Sequence, residues 1–217
     1  MTTTAHRYGK FRKLLLPVAV GAAAGCLGAV AFLRLTDRGM DDGLSTSGEI
    51  AGLTALIYIL TALSVLIGTS LPNAGAKLLN VEDADELREM KVQLYYSAAG
   101  MAAFGLALLV LALSGPDGWI APQMGAGLTI ALLVLGAVLS KLMVRHTDEL
   151  QQELSRAAMA LAFALMLVFG GGWAILAHTG LLVGPAALDW VTLFAATLIV
   201  AAFWESGKRG LLTRGPN

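Results

Sequence analysis

The sequence predicts an all-α membrane protein, a bundle of six transmembrane helices arranged in three hairpins. Of its 217 residues, 57% are hydrophobic and only 14% are charged, whereas a soluble domain is about half apolar and about a quarter charged. The apolar residues form six runs of about 20 residues, and a helix of that length crosses a hydrocarbon core of about 30 Å. Because lipid offers the backbone no hydrogen-bond partners, these runs must be helical.

The predicted spans belong to one integral-membrane domain that covers residues 1–217, without a separate soluble domain. They lie near residues 14–33, 50–70, 95–114, 122–144, 157–177 and 187–204. The first run follows basic residues and imitates a signal peptide. It stays apolar beyond Cys26 and is long enough to span, so we interpret it as an anchor.

Charged stretches lead into the third and fifth spans, and the helical pattern continues through them over about 83–114 and 148–178. Both stretches contain Asp-Glu-Leu, at Asp85–Leu87 and Asp148–Leu150. Two duplicated hairpins would explain this repeat. The general preference of acidic residues for helix N-termini explains it equally well.

Positive charge lies mostly on one side of the predicted bundle. The two tails and the second and fourth connections together carry 13 of the 15 Lys and Arg residues, and the other side carries only Arg34 and Arg38. Cytoplasmic loops are enriched in Lys and Arg. We therefore expect both termini in the cytoplasm and the acidic loop 41–47 on the outside.

Residues for catalysis or ion transport are missing from the predicted spans. Every Asp, Glu, Lys and Arg lies in a connection, a tail or the last turn of a span, whereas proton relays and ion sites need such groups at depth. No metalloprotease, phosphate-loop or nucleophile-elbow motif occurs. His178 and Asp189 could meet at the outer surface as an acid–base pair. A histidine at a helix C-terminus, however, usually interacts with the helix dipole and with water.

We therefore expect a protein that is not an enzyme and that holds no cofactor and no metal. The net charge is zero, with 15 basic and 15 acidic residues, and no basic motif predicts a nucleic-acid partner. The expected partners are the lipid bilayer and other membrane-protein subunits, or a second copy of the chain.

A polar face lies on the second span, where Thr54, Tyr58 and Thr61 recur at helical spacing. The first interpretation is that their hydroxyl groups bond between helices. The second is that Tyr58, a phenol at mid-membrane, lines a pocket for a neutral ligand such as a lipid or quinone headgroup.

Two groups of glycines predict close helix packing. Gly21, Gly25 and Gly28 share one face of the first span, and small residues let membrane helices approach closely.

The second group is Gly170, Gly171 and Gly172. Each is about 1 kcal/mol worse than alanine in a helix, so something must compensate. We expect a notch filled by a bulky side chain, with the helix unbroken. The alternative is a locally unwound turn that lines a ligand pocket.

The overall pattern resembles that of small multi-pass proteins of bacterial inner membranes, and no motif adds an activity. Three classes of function remain open. The first is an accessory, scaffold or assembly subunit of a larger membrane complex. The second is a small channel or carrier for a neutral or lipid-like solute, and the third, which the sequence favours least, is a membrane enzyme.

Overall fold

The computed structural model describes residues 3–39, 43–71, 84–115 and 118–209, with side chains for residues 19–39, 43–71, 87–115 and 118–209. Within these ranges the chain is helical and has no β-strand. The helices are α1 (Thr3–Gly39), α2 (Thr46–Ser70), α3 (Ala84–Glu89), α4 (Lys91–Ala112), α5 (Pro122–Val144), α6 (Glu149–His178) and α7 (Ala187–Lys208).

All of these helices except the short α3 are long and apolar enough to cross a membrane, which confirms the prediction of six apolar helices. In α1 the apolar part is Ala19–Gly39. The chain is therefore compatible with a multi-pass membrane protein, whereas the orientation of its termini stays a prediction.

The spans extend beyond their apolar runs because charged turns continue the helices. The helix α6 begins at Glu149, and the Asp148 side chain caps it by accepting a hydrogen bond of 2.8 Å from the Gln151 N–H. Such a cap satisfies one of the unpaired amides of the first turn. The prediction of a continuous helix over about 148–178 is confirmed.

The corresponding prediction for residues 83–114 is wrong, because the helix is divided at Met90. The helix α3 ends at Glu89 and α4 begins at Lys91, with Met90 between them at φ −80° and ψ −3°. Leu87 in α3 is only 1% exposed. This short helix is thus held by its own packing and is not a free extension of α4.

The bundle is built around α2. Consecutive spanning helices pack as the pairs α1–α2, α4–α5 and α6–α7, and α2 packs in addition against α4 and α7. The packing order across the molecule is therefore α5, α4, α2, α7 and α6, with α1 against α2. We call the end that carries Arg145 and Arg156 the basic end; it is the end predicted to be cytoplasmic.

Small residues form most of the core. Among the described side chains of the spanning helices, the buried hydrophobic residues are alanines apart from Tyr58 and Leu108. An added Cβ at Gly105 of α4 would lie 2.9 Å from the Tyr58 Cβ and 3.1 Å from the Ala55 carbonyl oxygen of α2. The close approach of α2 and α4 therefore depends on residues without bulk.

The helix α1 is attached to the rest of the bundle at the end opposite the basic end. The Phe32 ring lies against Gly52 of α2, where an added Cβ would overlap the ring. Near the end of α1, the Trp119 indole N–H donates to the Gly39 carbonyl oxygen at 3.0 Å. Nearer the basic end, an added Cβ at Gly28 would be 3.8 Å from Leu60.

Candidate functional site

A groove of about 630 Å³ lies between α5 and α7, with α4 as its floor. Tyr58 of α2 reaches it at mid-depth, and Ser155 of α6 lies at its basic end. Its volume lies within the range of small-molecule sites, about 300–1,000 Å³.

Two glycines set the position of the wall formed by α5. An added Cβ at Gly136 would lie 3.8 Å from the Gly100 carbonyl oxygen and 3.8 Å from the Ala103 Cβ, and one at Gly100 would lie 3.9 Å from the Ser140 Oγ. Because neither glycine has a side chain, α5 packs directly on the backbone of α4. This contact brings Ser140 over the floor of the groove.

The other wall combines α7 with the first turns of α6. The Gln93 side-chain N–H of α4 donates to the Gln151 Oε1 of α6, so α6 reaches α4 at the basic end. Farther along, α6 packs against α7. Among the described residues α5 and α6 do not form a packed pair. The groove is therefore open along the side of the bundle, where a membrane protein meets lipid.

Aromatic side chains form the middle of the groove. The Tyr58 and Phe104 rings meet edge to face, with centroids 5.0 Å apart, and Phe104 meets Phe194 of α7 in the same way at 6.5 Å. Leu132, Leu133 and Leu198 line the same region. This part of the groove is an apolar surface with aromatic edges.

Four hydroxyl groups line the groove at its basic end. They belong to Tyr96, Ser97, Ser140 and Ser155. Elsewhere in the described spans, most serine and threonine hydroxyls bond a carbonyl oxygen three or four residues earlier. Such residues are Thr36, Thr54, Thr61, Ser64, Thr69, Ser70, Ser114, Thr179, Thr192 and Thr197.

The four groove hydroxyls differ from this pattern. In the described part of the chain none of them has a hydrogen-bond partner, and none is buried away from the groove space. The Tyr96 ring is held by stacking on His146, with ring centroids 5.9 Å apart and planes at 16°. The groove thus presents unpaired hydroxyls at one end and an apolar surface at mid-depth.

Of the predicted polar face, only Tyr58 bonds between helices. Its hydroxyl donates to the Ala195 carbonyl oxygen of α7 at 2.8 Å, whereas Thr54 and Thr61 donate to Ile50 and Ile57 of their own helix at 2.8 and 2.7 Å. Only Tyr58 lines the groove. The structure does not bring the three hydroxyls together into one site.

The glycine face of α1 is mostly open. Gly28 approaches Leu60 of α2, but an added Cβ at Gly21 or Gly25 would meet no described atom within 4 Å. A packing role for Gly21 and Gly25 stays a prediction, and within the described chain they have no neighbouring helix.

In the second glycine group, one position is filled. An added Cβ at Gly170 would lie 2.7 Å from Trp190 Cζ3 and 3.1 Å from Leu193 Cδ2. An added Cβ at Gly171 would meet only Leu167 of the same helix, and one at Gly172 would meet nothing within 4 Å. The helix α6 continues through all three, as the notch interpretation requires.

Ionisable residues do not form a site within the described residues. The Asp189 carboxylate accepts a hydrogen bond of 2.7 Å from the Ala186 N–H at the start of α7, so it caps this helix. Among the described side chains, no three His, Cys, Asp or Glu residues group as metal ligands.

Sequence reasoning missed the groove residues of α4 and α5. A signal was present, because Ser97 and Gly100, and Gly136 and Ser140, place small residues on one face of each helix. No known protein family, curated protein or solved structure matches the chain. The described fold, with six helices long and apolar enough to cross a membrane, is compatible with the class of multi-pass membrane proteins.

Proposed function

We propose that the chain is a non-enzymatic accessory, scaffold or assembly subunit of a larger membrane complex, in the inner membrane of a bacterium with both termini in the cytoplasm. The observation that carries this proposal is the part of α1 between Ala19 and Leu27, where the glycine face meets no described atom of another helix.

This part of α1 is apolar and suited to close packing. Gly21 and Gly25 share the face on which Gly28 meets Leu60, and an added Cβ at either of them would meet no described atom within 4 Å. Lipid tails fill such a face poorly, whereas a second helix gains close backbone contact there. A helix from another subunit is therefore the favoured neighbour.

The test is purification of the full chain in a gentle detergent, followed by native mass spectrometry. An unrelated partner in fixed stoichiometry supports the proposal, and a lone monomer or homodimer contradicts it. The variant Gly25→Leu is expected to release the partner while the chain remains folded, because no described side chain lies near this position.

A matched control is Ala23→Leu, which adds similar bulk on the opposite face of α1 and should leave the partner bound. Equal effects of the two substitutions would show that the glycine face has no special part in assembly.

The second candidate is a channel or carrier for a neutral or lipid-like solute, which the lateral groove favours. Uptake of such a solute by vesicles that contain only this chain would support the carrier. Retention of the solute outside, together with a stable partner subunit, would support the accessory role. A membrane enzyme is the third candidate, and no described constellation favours it.

A further inference from the structure

We propose that the groove binds one uncharged amphipathic lipid of the acylglycerol class, taken from the surrounding bilayer. Its acyl chain would lie between α5 and α7, and its glycerol head would lie among Tyr96, Ser97, Ser140 and Ser155. A lipid bound in this way is compatible with either function proposed above and requires no transport.

The shape of the groove suits a lipid ligand. The groove is about 630 Å³ in volume and opens along the side of the bundle, between α5 and α6. A ligand can therefore enter from the bilayer without crossing water. Its apolar wall, which includes Phe104, Leu133 and Phe194, matches a hydrocarbon chain, for which each buried CH₂ group contributes about 0.8 kcal/mol.

The unpaired hydroxyl groups lie at one end of the groove. Ser97 is the seventh residue of α4, Ser155 is the seventh of α6, and Ser140 is four residues before the end of α5. Ser97 and Ser140 thus lie about one to two turns inside the basic end of their helices, and Ser155 lies two residues before the apolar run that begins at residue 157. All three therefore belong near the headgroup and glycerol region, where a ligand oxygen can replace water as the partner of a hydroxyl.

The described lining of the groove carries no charged side chain. None of the fifteen described residues that line the groove is Asp, Glu, Lys or Arg. The nearest exposed cation on α6, Arg156, lies 3.7 Å from Glu153 and is not part of the lining. His146 stacks on Tyr96 from outside the groove. A charged phosphate head would gain no ion pair from the lining, whereas ester and hydroxyl oxygens match hydroxyl donors and acceptors.

The experiment is photo-crosslinking of the full chain in phospholipid vesicles, with diacylglycerol that carries a diazirine in one acyl chain. Peptides of α5 and α7 should be labelled, and unlabelled diacylglycerol should compete. Phosphatidylglycerol with the same diazirine chain is the charged comparison, and we expect it to label these peptides at least about tenfold less.

Two pairs of variants test the two halves of the site. Ala137→Phe fills the groove from an exposed position and should abolish labelling, whereas Val138→Phe, one residue outside the lining, should preserve it. Ser140→Ala should lower labelling about two- to tenfold, the range of one lost hydrogen bond. Ser64→Ala, which removes a hydroxyl bonded to its own helix, should have no effect.

Several results would overturn the proposal. Equal labelling by both photolipids would remove the preference for an uncharged head. Labelling that survives both Ala137→Phe and a second filling variant, Leu133→Trp, would place the lipid elsewhere. In a Cys26→Ala background, a disulfide between two chains that carry Ala137→Cys would show that a second copy occupies the groove.

Discussion

The Tyr58 hydroxyl donates to the Ala195 carbonyl oxygen at 2.8 Å and so joins α2 to α7 across 137 positions of sequence. Among the described hydrogen bonds it is the only one that joins these two helices. The Ala195 carbonyl also belongs to a regular helix, so it keeps a backbone partner when the phenol is removed. Loss of this bond should therefore weaken the bundle without unfolding it.

We expect Tyr58→Phe to lower the free energy of unfolding by about 0.5–1.5 kcal/mol, the range of hydrogen bonds between membrane helices. The measurement is equilibrium unfolding in mixed micelles. Tyr95→Phe is the control, because the Tyr95 hydroxyl lies 3.4 Å from Ser70 in an exposed contact. If both substitutions have the same effect, the bond to Ala195 does not hold α2 and α7 together.

The contact of α2 with α4 should not accept a methyl group. In Gly105→Ala the new Cβ would lie 2.9 Å from the Tyr58 Cβ and 3.1 Å from the Ala55 carbonyl oxygen. Overpacking of this kind costs about 1–3 kcal/mol. Gly127→Ala on α5 is the control, because an added Cβ there meets nothing within 4 Å. In thermal denaturation in detergent, Gly105→Ala should lower the midpoint temperature of unfolding, and Gly127→Ala should not.

The glycine triplet of α6 should respond differently at each position. Gly170→Ala should destabilise the protein by about 1–3 kcal/mol, because the Trp190 ring must move. Gly172→Ala should be neutral or stabilising by up to about 1 kcal/mol, since alanine is the better helix former. Unfolding of the two single variants, and of Gly170→Ala combined with Trp190→Leu, checks this expectation. If Gly170→Ala costs as much stability in a Trp190→Leu background as in the unaltered chain, Trp190 is not the obstacle.

The orientation of the chain can be tested with single cysteines. In a Cys26→Ala background, Thr46→Cys and Gly207→Cys place thiols at exposed positions of opposite ends. With cytoplasmic termini, an impermeant thiol reagent applied to intact cells should label Thr46→Cys and spare Gly207→Cys. Lysed cells should label both, and the reverse pattern in intact cells would invert the topology.

The sequence predicts the six helices because the requirement for paired backbone groups in lipid leaves little choice. The segment 122–144 is identical to α5, and α7 begins at the predicted residue 187. The division at Met90 could not be predicted from the local pattern, in which Leu87 is one apolar residue of a continuous helix, whereas the fold buries it. Tertiary contacts of this kind override local pattern.

The groove was harder to predict than the helices. Its floor depends on the rotation of α4 and α5 about their axes, which the contact of Gly100 with Gly136 fixes. The sequence identifies Tyr58 as an unusual phenol at mid-membrane. Its partner is the backbone carbonyl of Ala195, and because every residue has a backbone carbonyl, the sequence does not identify this partner. The unpaired state of Ser140 emerges only when the neighbouring helices are in place.

The alanine and glycine core has a consequence for how this protein can change over evolutionary time. Its interior can hardly accept larger residues, whereas a lipid-facing position such as Phe163, which is 71% exposed, can exchange one bulky apolar residue for another. Distant relatives would then keep the spacing of small residues such as Ala55 and Gly105 after most bulky residues have diverged. In such a chain, common ancestry is best recognised from the spacing of its alanine and glycine residues.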